Sequence, residues 1–101
     1  MTNERDKSIE VADPFARQLM ARYLKRREKD LELLDQALAD SNFEAIERTG
    51  HNLSGSGSAY GLDAVSRIGR SIEEAAKRAD AAQTRRLLDD LAKFVRNVTL
   101  R

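Results

Sequence analysis

Between residues 16 and 38, apolar side chains fall at Ala16, Met20, Leu24, Leu31, Leu34 and Leu38, in steps of four, four, seven, three and four. Those steps return to one face of a helix that turns every ~3.6 residues. A strand, whose faces alternate with period two, would scatter the same residues over both sides. Asp13-Pro14 stands at the start of the run: an Asp side chain can accept from free first-turn amides, and proline lacks only an N–H that would be unpaired there anyway. One long helix over about 14–39 follows. Phe15, Leu19 and Tyr23 widen its apolar stripe, and Arg27 fills the skipped slot, where its aliphatic stem can cover core.

The remaining chain repeats the pattern. Ser41-Asn42-Phe43-Glu44 reads as a capping box, with a Ser hydroxyl accepting from the amide three residues on and Glu44 reaching back. A second helix from about 42 turns Phe43, Ile46, Gly50, Leu53, Gly57 and Tyr60 inward, and Glu44, Glu47, Arg48, His51, Gly55 and Ser58 outward. Gly61 ends it. A third helix over about 63–79 places Val65, Ile68, Ile72, Ala75, Ala76 and Ala79 inward, with Asp63 suiting the dipole of its first turn. Asp80 caps a fourth, about 81–98, which buries Leu87, Leu88, Leu91, Phe94, Val95 and Val98. No segment alternates with period two, so no strand is expected. Connections of two to four residues force neighbouring helices antiparallel. The fold class is therefore all-α: an up-down-up-down antiparallel four-helix bundle over 13–101, preceded by a flexible lead-in over 1–12.

Composition removes whole classes of function. With 18 Lys+Arg against 17 Asp+Glu, the chain lacks the basic excess by which nucleic-acid binders neutralise phosphates. Without cysteine there is no disulfide framework and no thiolate metal site, and no metal ligand set is expected. No apolar run approaches the ~20 residues that cross a bilayer, and the charged first residues lack the apolar stretch of a secretory leader. A cytoplasmic monomer, with neither nucleic acid nor membrane as partner, is the expectation.

Thr49 to Gly61 holds four of the five glycines and the only histidine. Each glycine within a helix costs ~1 kcal/mol relative to alanine, so a helix through this segment needs small residues there. Gly50 and Gly57 fall on the inward side, where they allow another helix to pack close. Gly55 lies one turn after His51 on the outward side, next to the imidazole, and clears space around it. An imidazole ordinarily titrates near pH ~6.5, so part of it is neutral at pH 7 and a ring nitrogen can act as a nucleophile. Glu44 and Glu47 are placed to orient the ring. Neither an acid–base pair nor an oxyanion pocket is visible, so an independent enzyme is not expected.

His51-Asn52-Leu53-Ser54-Gly55, with Gly61 six residues further, resembles the signature of histidine-containing phosphotransfer (HPt) domains: histidine, two residues, Lys-Gly, then glycine six on. The likeness extends over about 13–98. It takes in the long helix before the histidine, "LELLDQALAD" ahead of the cap, and "SIEEAAKRAD" after the glycine. The resemblance implies a phosphorelay intermediate: His51 accepts a phosphoryl group from a receiver-domain aspartate and passes it to another receiver. It implies response-regulator receiver domains as partners, with a hybrid histidine kinase as a further one. It also implies no cofactor of the chain's own, because Mg²⁺ belongs to the receiver. Gly55 matches the glycine that lets the receiver approach.

The chain departs from the pattern at Ser54, where the family carries lysine. Serine offers a hydrogen bond but no charge to offset a phosphoryl group, and Arg48, Arg67 and Arg70 stand as alternative sources of that charge. Ser54, Gly55 and Arg48 would shape the site, and Glu47 and Ser58 would border a docking surface made by the His51 face of the second helix and the adjoining face of the first. The alternative function is a receiver-binding module that regulates by docking without transfer, with Ser54 marking the lost chemistry. The cluster Arg22, Lys25, Arg26, Arg27 and Lys29 has two readings: an anion- or receiver-binding patch, or a solvated face paired with Glu28, Asp30 and Glu32.

Overall fold

A computed structural model describes residues 8, 9, 11 and 13–100. Its elements in chain order are β1 (Ser8–Ile9), α1 (Pro14–Ala39), α2 (Phe43–Ala59), α3 (Asp63–Lys77), α4 (Ala81–Asn97) and β2 (Thr99–Leu100). The lead-in expected over 1–12 falls, apart from Ser8, Ile9 and Val11, outside the described residues. Ser8 and Ile9 pair in parallel with Thr99 and Leu100, a two-residue contact that leaves the fold all-α. The four helices form the expected bundle: each packs on the next, and α4 returns to α1.

The caps explain where the helices begin and end, and they correct two expectations. Asp13 accepts from the Phe15 amide at 2.9 Å, with Pro14 as the first helical residue. Asp80 accepts from the Gln83 amide at 3.0 Å. The cap of α2, however, is Asn42, whose side chain accepts from the Ala45 amide at 3.2 Å. Ser41 is not the cap because its backbone is used otherwise: at φ 55° it closes α1, and the next amide, Asn42, donates to the Ala37 carbonyl at 2.8 Å. Ala79 likewise adopts φ 51°, and the Asp80 amide donates to the Ala75 carbonyl at 3.0 Å. Such left-handed closures satisfy carbonyls that a helix end leaves free. They end α3 at Lys77 and turn Ala79 into solvent, against the inward position expected for it. Gly61, at φ 71°, closes α2 as expected.

Leu34, Ile46, Leu53, Leu62, Val65, Ile72, Leu88 and Leu91 are the sealed centre of the core. Two large apolar residues of the stripe expected on α1 are exposed instead. Phe15 is 67% exposed and Leu19 38%, because α1 has 26 residues against 17 in α2 and its first turns outrun the helix beside them. Tyr60, expected inward, is 37% exposed and stacks on buried Tyr23 with ring centroids 4.3 Å apart. The Arg27 guanidinium covers Tyr23 from 4.2 Å. The Tyr23 hydroxyl is hydrogen-bonded to Ser56 Oγ at 2.7 Å, so an aromatic and polar stack joins α1 to α2. On the other side of α1, Arg85 of α4 donates to Asp35 at 2.9 Å and to Asp89 at 3.0 Å. The Asp35 hydrogen bond raises the Arg85 pKa further above its ordinary value. Exposed pairs of this kind contribute little to stability.

The α2–α3 contact is the closest in the bundle, and glycine makes it so. A Cβ on Gly50 would lie 2.7 Å from the Glu73 amide nitrogen and 2.8 Å from the Gly69 carbonyl oxygen. On Gly57 it would lie 2.6 Å from the Ser66 amide nitrogen, and on Gly69 2.7 Å from both Leu53 Cβ and the Ser54 amide nitrogen. These are backbone-to-backbone approaches. Buried Ser66 completes the seam by donating to the Ser54 carbonyl and hydrogen-bonding Ser58 Oγ at 2.9 Å, so no polar group is orphaned there. Gly50→Ala must push the helices apart. The expected overpacking cost of ~1–3 kcal/mol equals or exceeds the ~1 kcal/mol gained in helix propensity. Thermal unfolding followed by circular dichroism should show a lowered Tm, and an unchanged or raised Tm would contradict the seam.

Candidate functional site

His51 sits in the third turn of α2, on the flank that turns towards α3 and solvent. The seam sets its neighbours. Because Gly50 abuts the backbone of Glu73, the next residue along α2 stands beside the Glu73 side chain. His51 Nδ1 lies 3.2 Å from Glu73 Oε2. The imidazole side chain is 74% exposed and the Glu73 side chain 18%. A carboxylate only accepts, so Nδ1 donates and carries the proton. In the neutral ring Nε2 then keeps its lone pair and points away from the carboxylate. Lys77 Nζ approaches the same Glu73 oxygen at 3.7 Å, one turn further along α3. The ring is thus oriented from the neighbouring helix. Glu44 and Glu47, expected to orient it, do not contact it in this way, and Glu44 pairs with Arg48 at 3.4 Å.

His51, Glu44, Glu47, Arg48 and Glu73 line an open hollow of about 290 Å³. The structure therefore brings three of the expected site residues, Glu47, Arg48 and His51, to one place. Gly55 lies one turn beyond the ring, and a Cβ built there meets nothing within 4 Å, so its flank of α2 is open. Ser54 and Ser58 lie along the same flank but outside the hollow. The Ser54 carbonyl and the Ser58 hydroxyl are both held by Ser66. Of the arginines considered as a source of positive charge, Arg67 lines a different hollow with Asp90, Lys93 and Phe94 of α4. Arg70 is exposed on α3. Arg48 is at the site but engaged by Glu44.

Sequence reasoning missed Glu73 and Lys77. The signal was present in Gly69, the fifth glycine. If Gly50 and Gly69 face each other across antiparallel helices, the turn of α3 after Gly69 lies beside His51, and that turn holds Glu73.

The helical bundle thus presents one exposed imidazole on α2, held from α3 and open to solvent. The model of the Hpt domain family matches residues 18–99, most of the chain, and the protein belongs to that family. No curated protein matches the chain, and no solved structure does. Members of the family act in histidine phosphotransfer within phosphorelays, as phosphocarrier modules that work with receiver domains and kinases. No helix among the described residues is long and apolar enough to cross a membrane.

The carboxylate contact carries a testable consequence for the ring. Glu73→Gln replaces an acceptor-only group with an amide that can accept or donate, so the preference for Nδ1–H should relax a few-fold. The hydrogen bond behind it contributes on the order of 1 kcal/mol. Ring ¹⁵N shifts of neutral His51 should report the change, and an unaltered tautomer ratio would show that Glu73 does not set it.

Proposed function

We propose that His51 is the phosphoacceptor of a two-component phosphorelay, taking a phosphoryl group from the aspartyl phosphate of one receiver domain and passing it to the aspartate of another. The observation that carries this reading is the exposed imidazole held through Nδ1 by Glu73, with bare backbone at Gly55 one turn away. In the forward step the Nε2 lone pair attacks phosphorus. The P–N bond forms as the P–O bond to the receiver carboxylate breaks, and the carboxylate leaves with the electron pair. The ring becomes a phosphorylated imidazolium whose positive charge faces the Glu73 carboxylate, and the Nδ1 proton stays in place. Transfer onward is the same step reversed on a second aspartate.

Phosphoryl transfer depends on positioning and charge stabilisation more than on covalent chemistry by the protein. This chain contributes the oriented nucleophile and an unobstructed approach. The receiver contributes Mg²⁺ and the in-line geometry. Ser54 and Arg48 shape the ground around the phosphoryl group, and Glu47 and Ser58 border the docking surface. The setting is the cytoplasm, where a hybrid histidine kinase charges the first receiver.

Incubation with a phosphorylated receiver tests the acceptor. His51→Gln should abolish acid-labile labelling of the chain while leaving its helical content intact, and persistent label would reject His51. A wild-type chain that binds the receiver yet stays unlabelled would favour the docking-only alternative. The missing lysine supplies a second test. Ser54→Lys adds a cation one turn from the ring, which should lengthen the phosphohistidine lifetime or speed transfer severalfold. No change in either would place the countercharge elsewhere, with Arg48 lining the same hollow and Lys77 approaching the Glu73 carboxylate.

A further inference from the structure

The large apolar side chains exposed among the described residues are Phe15, Leu19, Leu33 and Tyr60. Three of them are on α1, and they are not scattered. Phe15, Leu19, Arg22, Arg26, Lys29 and Leu33 follow one another in steps of four, three, four, three and four, the spacing of a coiled-coil seam. Leu33 is 60% exposed, and Arg22, Arg26 and Lys29 are exposed between the two apolar ends. The seam runs from residue 15 to residue 33, about 27 Å at 1.5 Å per residue.

Beside its middle lies a hollow of about 570 Å³, open to solvent between α1 and α2. Leu19, Arg22 and Arg26 form one wall, and Thr49, Asn52, Ser56 and Tyr60 form the other. The floor is fixed. Arg27, with its side chain only 11% exposed, lies 3.0 Å from Asp30 through Nε and covers Tyr23. Asp30 is the only acid lining the hollow, and it is committed to Arg27. Among the described residues, Arg27 alone of this cluster has an ion-pair partner, in Asp30, whereas Arg22, Lys25, Arg26 and Lys29 are exposed and unpaired, so the face is solvated as one reading had it but not paired with its neighbouring acids.

We propose that the α1–α2 groove docks an acidic amphipathic helix of a partner protein, with apolar residues at both ends of its seam and carboxylates at the centre. Apolar side chains of the partner cover Phe15, Leu19 and Tyr60 at one end and Leu33 at the other, and its carboxylates meet Arg22, Arg26 and Lys29. The length of the seam and the open hollow beside it suit a helix laid along α1. A small ligand would need an enclosing pocket that buries most of its surface. A second copy of this chain is the wrong occupant. Whether two α1 seams lie parallel or antiparallel, arginines and lysines of one meet those of the other at the centre. The seam lies on the opposite flank of α2 from His51, so a helix seated there leaves the imidazole uncovered.

The test uses the full chain and a fluorescent synthetic helix of about 20 residues, with leucine at the end seam positions and glutamate at the central ones. Fluorescence anisotropy should show saturable binding that weakens as salt is raised. Arg22→Glu/Arg26→Glu should weaken it at least tenfold, and Leu33→Ser should weaken it severalfold. Arg22→Gln/Arg26→Gln should act in the same direction, which removes the cations without reversing them. Circular dichroism confirms that each variant is folded. The same peptide with central lysines should not bind. Equal binding of the lysine peptide, indifference to both arginine pairs, or failure of the glutamate peptide to bind would overturn the proposal. So would a concentration-dependent dimer in sedimentation that Leu33→Ser abolishes, since a second copy would then own the seam.

Discussion

The molecule depends on two backbones being allowed to touch. Where α2 and α3 cross, Gly50, Gly57 and Gly69 remove the side chains that would hold the helices apart, and amides and carbonyls of one helix come within contact of the other. Protein interiors are packed like crystals, so such a contact fixes register as well as distance. Register here has a chemical result. It places Glu73 beside His51, and through the same carboxylate it places Lys77 one turn away. The site is made by two helices, although the imidazole is on only one.

The glycines thus divide by flank. Those facing α3 serve packing, at a cost in helix propensity that the close approach offsets. Gly55 faces nothing, so packing does not explain it, and its absent side chain leaves room for something outside the bundle. The same 17-residue helix carries both kinds, and the 3.6-residue turn alone separates them.

The sequence showed the helices, most of the core and the histidine, because each leaves a local trace: apolar steps of three and four, Asp-Pro and Asp-x-x-Gln caps, and a lone imidazole among glycines. It misled where an outcome depends on neighbours distant in the chain. Ser41 had the composition of a cap, but closing α1 required it to take a left-handed backbone, and Asn42 took the role. Phe15 and Leu19 fit the apolar stripe of α1, but a stripe does not reveal that the partner helix is shorter. Glu44 and Glu47 stand near His51 in sequence and on its face, whereas the ring's partner comes from α3, 22 residues later. Only the facing of Gly50 and Gly69 encodes that pairing, and it becomes legible once the two helices are known to lie against each other.

The three inter-helix connections are each closed by hydrogen bonds back to the preceding helix, with Ser41, Gly61 and Ala79 locked in left-handed turns. None is long enough to fold over a neighbouring surface. Among the described residues no connection reaches the imidazole, so the openness of that ring follows from the wall of the bundle and not from the position of a loop.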